Sequence, residues 1–216
     1  MLYGMLECGI KCPKCDAPVP LNGPWEVAHC DKCQADIPIP HDYWIDMLGE
    51  IINDVKNDLA EGEGTQSTIF GTFNTTLLYG RLQPYCYDCK EDFTPDADAT
   101  EPYVYTCKKC GKEIKVMPAP DWLKEGLKPM RMVVNAELQG KSDDDKAALS
   151  EPIAFSCIKC GGALEVDGTE RLVPCKFCGV KVYLPDDLWL RLHPAKSKER
   201  WFVGFDESQV PKEDDD

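Results

Sequence analysis

Short runs in which apolar and polar residues alternate recur along the chain and predict β-strands. One run covers Ala163–Val166 and is followed by Asp167-Gly168, a dipeptide typical of a tight hairpin turn. Residues 171–174 then predict the return strand of that hairpin. The pattern therefore predicts short antiparallel hairpins.

Apolar residues with helical spacing follow three segments that contain Pro, Asp and Trp. The longest predicted helix begins after Asp42 and ends at Gly62, and we expect shorter helices after Asp121 and Asp187. In each case the Asp is the expected N-cap. The apolar face of the long helix consists of Trp44, Met47, Leu48, Ile51, Ile52, Val55 and Leu59. We expect its Trp to pack in a core rather than to bind a ligand.

Twelve of the 13 cysteines in this chain of 216 residues form six C-x-x-C pairs. The gaps between the pairs alternate between short and long, which groups the pairs into three quartets. The quartets are Cys12, Cys15, Cys30 and Cys33; Cys86, Cys89, Cys107 and Cys110; and Cys157, Cys160, Cys175 and Cys178.

The spacing within each quartet is typical of a four-cysteine metal site. A C-x-x-C turn brings two sulfurs to the same side, and two such turns complete a tetrahedron of thiolates around one ion. Two alternatives remain open. A single pair could be a redox dithiol, although this does not predict regular doubling, and disulfides would fit an even count in an exported protein. The spacing favours structural metal.

The first and third quartets belong to a longer repeat. An offset of 145 residues carries all four cysteines of the first quartet onto those of the third, and it also superposes Trp44 on Trp189. The second quartet has a longer hairpin but also ends in Pro, Asp and Trp, at Trp122. Three successive supersecondary modules are therefore expected.

These modules resemble the zinc-ribbon family over the blocks 12–44, 86–122 and 157–189. The resemblance implies a small metal-stabilised α+β fold of three zinc-ribbon modules, each a short antiparallel β-ribbon followed by a Pro-Asp-Trp helix. It further implies three structural Zn²⁺ ions, each bound by the four cysteines of one quartet. Members of the family bind nucleic acid, bind proteins or brace larger assemblies, so the resemblance leaves the function open.

We expect five segments along the chain. They are a first module with its amphipathic helix (1–62), a β segment with the second module (63–127), a strand with an acidic linker (128–154), the third module (155–194), and an aromatic docking segment with an acidic disordered tail (195–216). Residues 200–205 are expected to form a short aromatic strand or a docking segment, defined by Trp201, Phe202 and Phe205, and the disordered tail is expected to begin at Asp206.

Charge and composition narrow the classes of function. The formal net charge is −14, which disfavours broad binding to nucleic acid or to an anionic membrane. No apolar stretch is long enough to predict a membrane span. The first ten residues have no basic region before an apolar run, so we expect no secretory signal and a cytoplasmic location. Cysteines in that compartment are more typical of metal binding than of disulfides.

Catalysis is not expected, because four cysteines fill a tetrahedral site and leave no position for water. The histidines are His29, His41 and His193, and only His29 adjoins a quartet, where we expect it to be packed or solvated. Cys8 is unpaired and is expected to be a small buried residue. A rubredoxin-like iron site and electron transfer form one alternative.

The leading expectation is a non-catalytic adaptor or scaffold that mediates protein–protein interaction in an intracellular assembly. The alternative is a nucleic-acid-associated zinc-ribbon protein. The basic cluster that would serve it consists of Lys108, Lys109, Lys112 and Lys115. Because no segment of the chain is net basic, we expect the partner to be a protein.

Overall fold

Most of the alternating runs form strands, and the described chain is a mixed α+β structure that consists mainly of strands. The computed structural model describes residues 1–69, 73–137, 153–166, 171–185 and 197–211. The chain divides into two compact units, of which one comprises Met1–Gly140 with Ser197–Asp216 and the other Lys141–Lys196.

The first unit contains ten strands within its described residues. They are β1 (Leu2–Lys11), β2 (Pro18–Leu21), β3 (Val27–His29), β4 (Asp36–Pro38), β5 (Gly64–Ile69), β6 (Thr75–Arg81), β7 (Tyr103–Thr106), β8 (Glu113–Pro118), β9 (Met130–Val134) and β14 (Trp201–Phe205). The second unit contains β10 (Ile153–Ser156), β11 (Ala163–Val166), β12 (Leu172–Pro174) and β13 (Lys181–Tyr183).

An eight-stranded antiparallel sheet organises the first unit. Its order is β5-β6-β1-β14-β9-β8-β7, and β2 also pairs with β1. Strand β1 pairs with β6 along one edge, and along the other edge it pairs first with β14 and then with β2. The residues of β1 from Tyr3 to Leu6 are all buried, so side chains on both faces of this strand are covered.

Strand β14 corrects the predicted docking segment. All five of its residues are buried, and the strand lies between β1 and β9 in the interior of the sheet. A continuous apolar run suits a strand that is covered on both faces, and this role leaves Trp201, Phe202 and Phe205 unable to serve as a contact surface. Residues 206–211 follow in an ordered turn that includes a 3-10 helix over Glu207–Gln209, so the disorder expected from residue 206 is wrong as far as residue 211. Residues 212–216 lie outside the described residues.

Helix α1 (His41–Asn57) packs most of its predicted face into the core, but it ends before Leu59 and before the predicted end at Gly62. Trp44, Met47, Leu48, Ile51, Ile52 and Val55 are buried. Trp44 donates its indole N–H to the carbonyl of Trp25 at 2.7 Å and meets the ring of Trp201 edge-on. The core role predicted for Trp44 is therefore confirmed.

The starts of the helices differ from the prediction. The N-cap of α1 is Pro40 and that of α2 (Asp121–Gly126) is Pro120, neither with a side-chain capping bond. Asp42 and Asp121 lie within the first turn instead, where a carboxylate still interacts favourably with the helix dipole. The helix predicted after Asp187 lies outside the described residues. Helices thus follow the first two quartets in the part of the chain that the structure describes.

The second unit contains two separate two-stranded sheets, β10–β11 and β12–β13. The bounds of β11, β12 and β13 equal those of β2, β3 and β4 displaced by 145 residues, and β10 corresponds to residues 8–11 of β1. The registers also agree, so that Cys8↔Leu21 corresponds to Ile153↔Val166, and His29↔Asp36 to Pro174↔Lys181. A small cluster forms its core: Cys157, Leu164, Val166, Val173, Cys175, Val182 and Leu184.

The observed strand pairing also shows that the predicted hairpin between residues 163–166 (β11) and 171–174 (β12) is wrong. In the structure each of these strands pairs across a cysteine turn, β11 with β10 and β12 with β13. The C-x-x-C turn itself reverses the chain, so the strands before and after it become neighbours. The turn predicted at Asp167-Gly168 lies outside the described residues.

Candidate metal centres

All six C-x-x-C pairs adopt the same backbone turn. In each one the N–H of the first cysteine donates to the carbonyl five residues later, and the N–H four residues later donates back to the carbonyl of that cysteine. The twelve N···O distances are 2.8 or 2.9 Å. The second ribbon follows the same plan, with a bridge between Tyr85 and Asp92 across its first turn and with β7 and β8 on either side of its second.

The fourth residue after the first cysteine is left-handed in every turn. Gly111, Gly161 and Gly179 have φ between 70° and 76°. Asp16, Gln34 and Lys90 hold φ between 56° and 59°, a region that costs an ordinary residue about 1 kcal/mol or more. Glycine is therefore favourable but not required there. The spacing from the first cysteine locates these positions even though half of them lack glycine.

The structure brings each predicted quartet together, with the four sulfurs of a quartet within 4.8 Å of one another. The first cysteine of each first pair lies close to the last cysteine of the quartet, and the two inner cysteines lie close to each other. These Sγ–Sγ distances are 3.6 and 3.7 Å in the first quartet, 3.5 and 3.5 Å in the second, and 3.7 and 3.6 Å in the third.

The sulfur spacing fits a tetrahedral metal ion and not a disulfide. Sulfurs bound at about 2.3 Å from one ion are about 3.8 Å apart along the edge of the tetrahedron. A disulfide bond is only about 2.05 Å long. All 13 cysteines are free thiols in the structure. Each quartet can therefore hold one thiophilic ion with all four protein ligands in place.

Backbone amides prepare the sulfurs for the thiolate form that a metal ion requires. The amides of Cys160 and Lys159 lower the pKa of the Cys157 thiol to about 6. At Cys12 burial works to raise the pKa, but the amides of Lys14 and Cys15 and the neighbouring sulfurs outweigh it, so the pKa falls to about 7.

Not every thiol of a quartet has a lowered pKa. Burial raises the pKa of Cys30 to about 12. Several adjacent thiolates repel one another when no cation is bound between them. A bound cation is thus what would allow all four sulfurs of a quartet to ionise together.

The first cysteine of every turn anchors its site to a hydrophobic core. These six residues are at most 2 % exposed: Cys12, Cys30, Cys86, Cys107, Cys157 and Cys175. The second cysteines are intermediate or exposed. Each site therefore contacts packed side chains on the side of its first cysteines and lies near the surface on the side of its second cysteines.

Two residues near the first quartet take the structural roles expected of them. His29 Nδ1 lies 2.8 Å from an Asp36 carboxylate oxygen and its Nε2 lies 3.0 Å from the Gln34 side-chain oxygen, so both ring nitrogens face oxygens rather than the sulfurs. Cys8 is fully buried and donates its S–H to the carbonyl of Leu21 at 3.3 Å. Burial raises the pKa of Cys8 to about 12, consistent with a packed neutral thiol.

Comparison of the chain with protein-family models, curated proteins and solved structures finds no match. The assignment of the sites therefore rests on geometry: three cysteine tetrads compatible with zinc-binding modules. In the described residues no helix is long and apolar enough to cross a membrane.

Proposed function

We propose that this chain is a non-catalytic zinc-ribbon adaptor, in which three structural zinc ions hold ribbons that contact protein partners. The observation that carries the proposal is the same closed four-sulfur arrangement in all three quartets, with Sγ–Sγ distances of 3.5 to 3.7 Å. Four thiolates and tetrahedral spacing are typical of structural zinc. A site filled by its protein ligands offers no position for a reacting water.

The energetic need for metal supports a structural role. Among the residues that the structure describes, the third ribbon packs around seven buried residues, two of which are cysteines. A module of this size buries too little apolar surface to fold alone. Structural zinc contributes on the order of 10–16 kcal/mol of apparent binding free energy in small domains. Zinc is therefore the component that holds this ribbon.

An iron-containing electron carrier is the competing metalloprotein, because iron also binds four thiolates in paired cysteine turns. Visible absorption and elemental analysis of the purified protein separate the two. We expect a colourless protein that contains zinc. A red protein with iron in stoichiometric amount would replace the adaptor by the electron carrier.

The charge distribution supports protein partners over nucleic acid. Within the predicted basic cluster, Lys109 lies 3.3 Å from Glu91 and Lys112 lies 3.8 Å from Asp88. Two of the four lysines of the cluster therefore lie beside carboxylates, which lowers the positive charge that the cluster offers. Each quartet that binds one divalent ion also adds two negative charges, which takes the formal charge from −14 to about −20.

The adaptor function is tested in the native cell. After mild lysis and gentle cross-linking, the chain should elute at a mass well above its own 24.2 kDa, and nuclease should leave that mass unchanged. Elution as a free monomer would contradict the adaptor function. A shift to the monomer position after nuclease treatment would favour the nucleic-acid-associated alternative.

A further inference from the structure

The two end strands of the eight-stranded sheet differ in how their open edges are protected. Strand β7 is four residues long and directly follows Pro102, and both features discourage another strand from pairing with it. Strand β5 is six residues long, and its sequence GTQSTI contains no charged residue and no proline. Within the described residues β5 pairs only with β6. The open edge of β5 therefore lacks the features that protect β7.

The backbone register of β5 shows which of its residues form this open edge. The N–H of Arg81 on β6 donates to the carbonyl of Glu63 at 2.9 Å, just before Gly64 begins the pairing. Hydrogen-bonded and non-hydrogen-bonded residue pairs alternate along an antiparallel ladder. Gly64, Gln66 and Thr68 therefore occupy the non-hydrogen-bonded positions, and their N–H and C=O groups point away from β6.

The exposed part of β5 carries small or neutral side chains. Gly64, Thr65 and Gln66 are exposed, and Ser67 is half-buried. A foreign strand that adds to a sheet edge gains its specificity from pockets or charges that receive its side chains. These four residues offer neither a charge nor a large apolar side chain. A second copy of the chain needs no such feature, because symmetry places the same strand opposite itself.

The charge of the chain also favours a second copy at this edge. The formal net charge is −14, so two copies repel each other wherever their acidic surfaces approach. Like charges directly opposite each other destabilise a strand pair. Because β5 has no charged residue, two identical chains can meet along it without such a pair.

We propose that β5 pairs antiparallel with β5 of a second copy, with the two-fold axis at Gln66. In this register Gln66 faces Gln66 of the second copy and Gly64 faces Thr68 of the second copy, and each pair exchanges two main-chain hydrogen bonds. Thr65 faces Ser67 of the second copy, and their hydroxyl groups stabilise the pair. The assembly is a closed dimer rather than a filament, because its outer edges are the protected β7 strands.

This proposal goes beyond the adaptor function, and it is tested with the purified zinc-loaded chain alone. Two six-residue strands form less than a standard interface, so we expect a weak dimer that sedimentation velocity detects at concentrations up to about 500 µM. Added salt should strengthen the association, because it screens the repulsion between two acidic chains. A monomer at every concentration, or association that weakens with added salt, would overturn the proposal.

Removal of one backbone donor locates the interface. Gln66→Pro deletes an N–H that points away from β6, so it should weaken dimerisation at least about tenfold and leave zinc content unchanged. Gln66→Thr changes the side chain but keeps the N–H, and it should dimerise within about threefold of the original chain. Hydrogen exchange in β6 reports whether the sheet is intact. Equal dimerisation of the two variants would overturn the assignment to β5.

A charge exchange tests the two-fold axis. Gln66→Glu and Gln66→Lys each place like charges opposite each other, so each variant alone should associate at least about threefold more weakly. An equal mixture of the two variants should recover the association, because opposite charges then meet at the axis. Val104→Glu adds a charge at an exposed position of β7 and should leave dimerisation within about twofold. A mixture that associates no better than the single variants would overturn the proposed register.

A further measurement identifies a different occupant. A short fluorescein-labelled Thr-Val repeat peptide serves as a generic strand. If it binds a chain that stays monomeric, and if Gln66→Pro abolishes this binding, the strand of another protein replaces the second copy. A native complex of twice the chain mass that is lost in Gln66→Pro would support self-pairing and contradict the adaptor function. Failure of self-pairing leaves a larger native complex unaffected, so the two failures are distinguishable.

Discussion

The first and third ribbons have the same strand registers and the same cysteine turns, but they have unequal support. The first is continuous with an eight-stranded sheet, and its cysteines Cys12 and Cys30 belong to a large core that includes Trp25, Trp44 and Trp201. Within its described residues, the third has a small core around Cys157 and Cys175. The comparison shows that one local geometry can be either an extension of a large fold or nearly the whole of a small one. We therefore expect the folding of the third ribbon to depend more strongly on bound metal than the folding of the first ribbon.

Removal of one pair of ligands from each ribbon gives the largest contrast. Cys157→Ser with Cys160→Ser should abolish metal binding at the third quartet and unfold β10–β13, because the apolar core alone cannot stabilise them. Cys12→Ser with Cys15→Ser should also lose one zinc ion, but β1 and β14 should stay folded through their sheet pairing. Hydrogen exchange measured by mass spectrometry follows each region. Retained protection of β10–β13 in the first variant would contradict the comparison.

Truncation of a core residue in the first unit should destabilise that unit and leave the third ribbon folded. Trp201 is fully buried and donates its indole N–H to the carbonyl of Leu21 at 3.0 Å. Trp201→Ala should reduce the free energy of unfolding of the first unit by about 3–5 kcal/mol, through the cavity and the lost hydrogen bond. Denaturant unfolding gives the value, and hydrogen exchange should show unchanged protection in β10–β13. Equal loss of protection in the third ribbon would show that it depends on the large core.

A reciprocal exchange at the left-handed turn position gives a smaller effect. Gly161 has φ 70° in the third ribbon, and its equivalent in the first is Asp16 at φ 56°. Gly161→Asp should destabilise the zinc-loaded third ribbon by about 1 kcal/mol, and Asp16→Gly should relieve strain in the first by a similar amount. Competition with a zinc chelator reports both changes. A stabilising effect of Gly161→Asp would show that φ does not limit this turn.

The cysteine spacing was sufficient to predict which sulfurs come together. Metal-ligand geometry is local, because each C-x-x-C turn closes within six residues through its own backbone hydrogen bonds. The face of α1 was equally predictable, since helical spacing depends only on nearby residues. In both cases a short stretch of chain contains all the information that determines the structure.

The pairing of distant segments was not predicted. Strand β14 lies beside β1 although nearly 200 residues separate them in the sequence, and local patterns do not specify such a partner. The run WFVGF was interpreted as a short aromatic strand or a docking segment, and its continuous apolar character is typical of a strand covered on both faces.

The central claim is that each of the three cysteine quartets binds one structural zinc ion, and native mass spectrometry of the reduced intact chain tests it most directly. The account predicts three zinc ions per chain. It also predicts that Cys8, the only cysteine outside the quartets, resists alkylation while the chain is folded, because it is fully buried. A folded chain with fewer than three ions, or with its quartet cysteines joined in disulfides, would contradict the account.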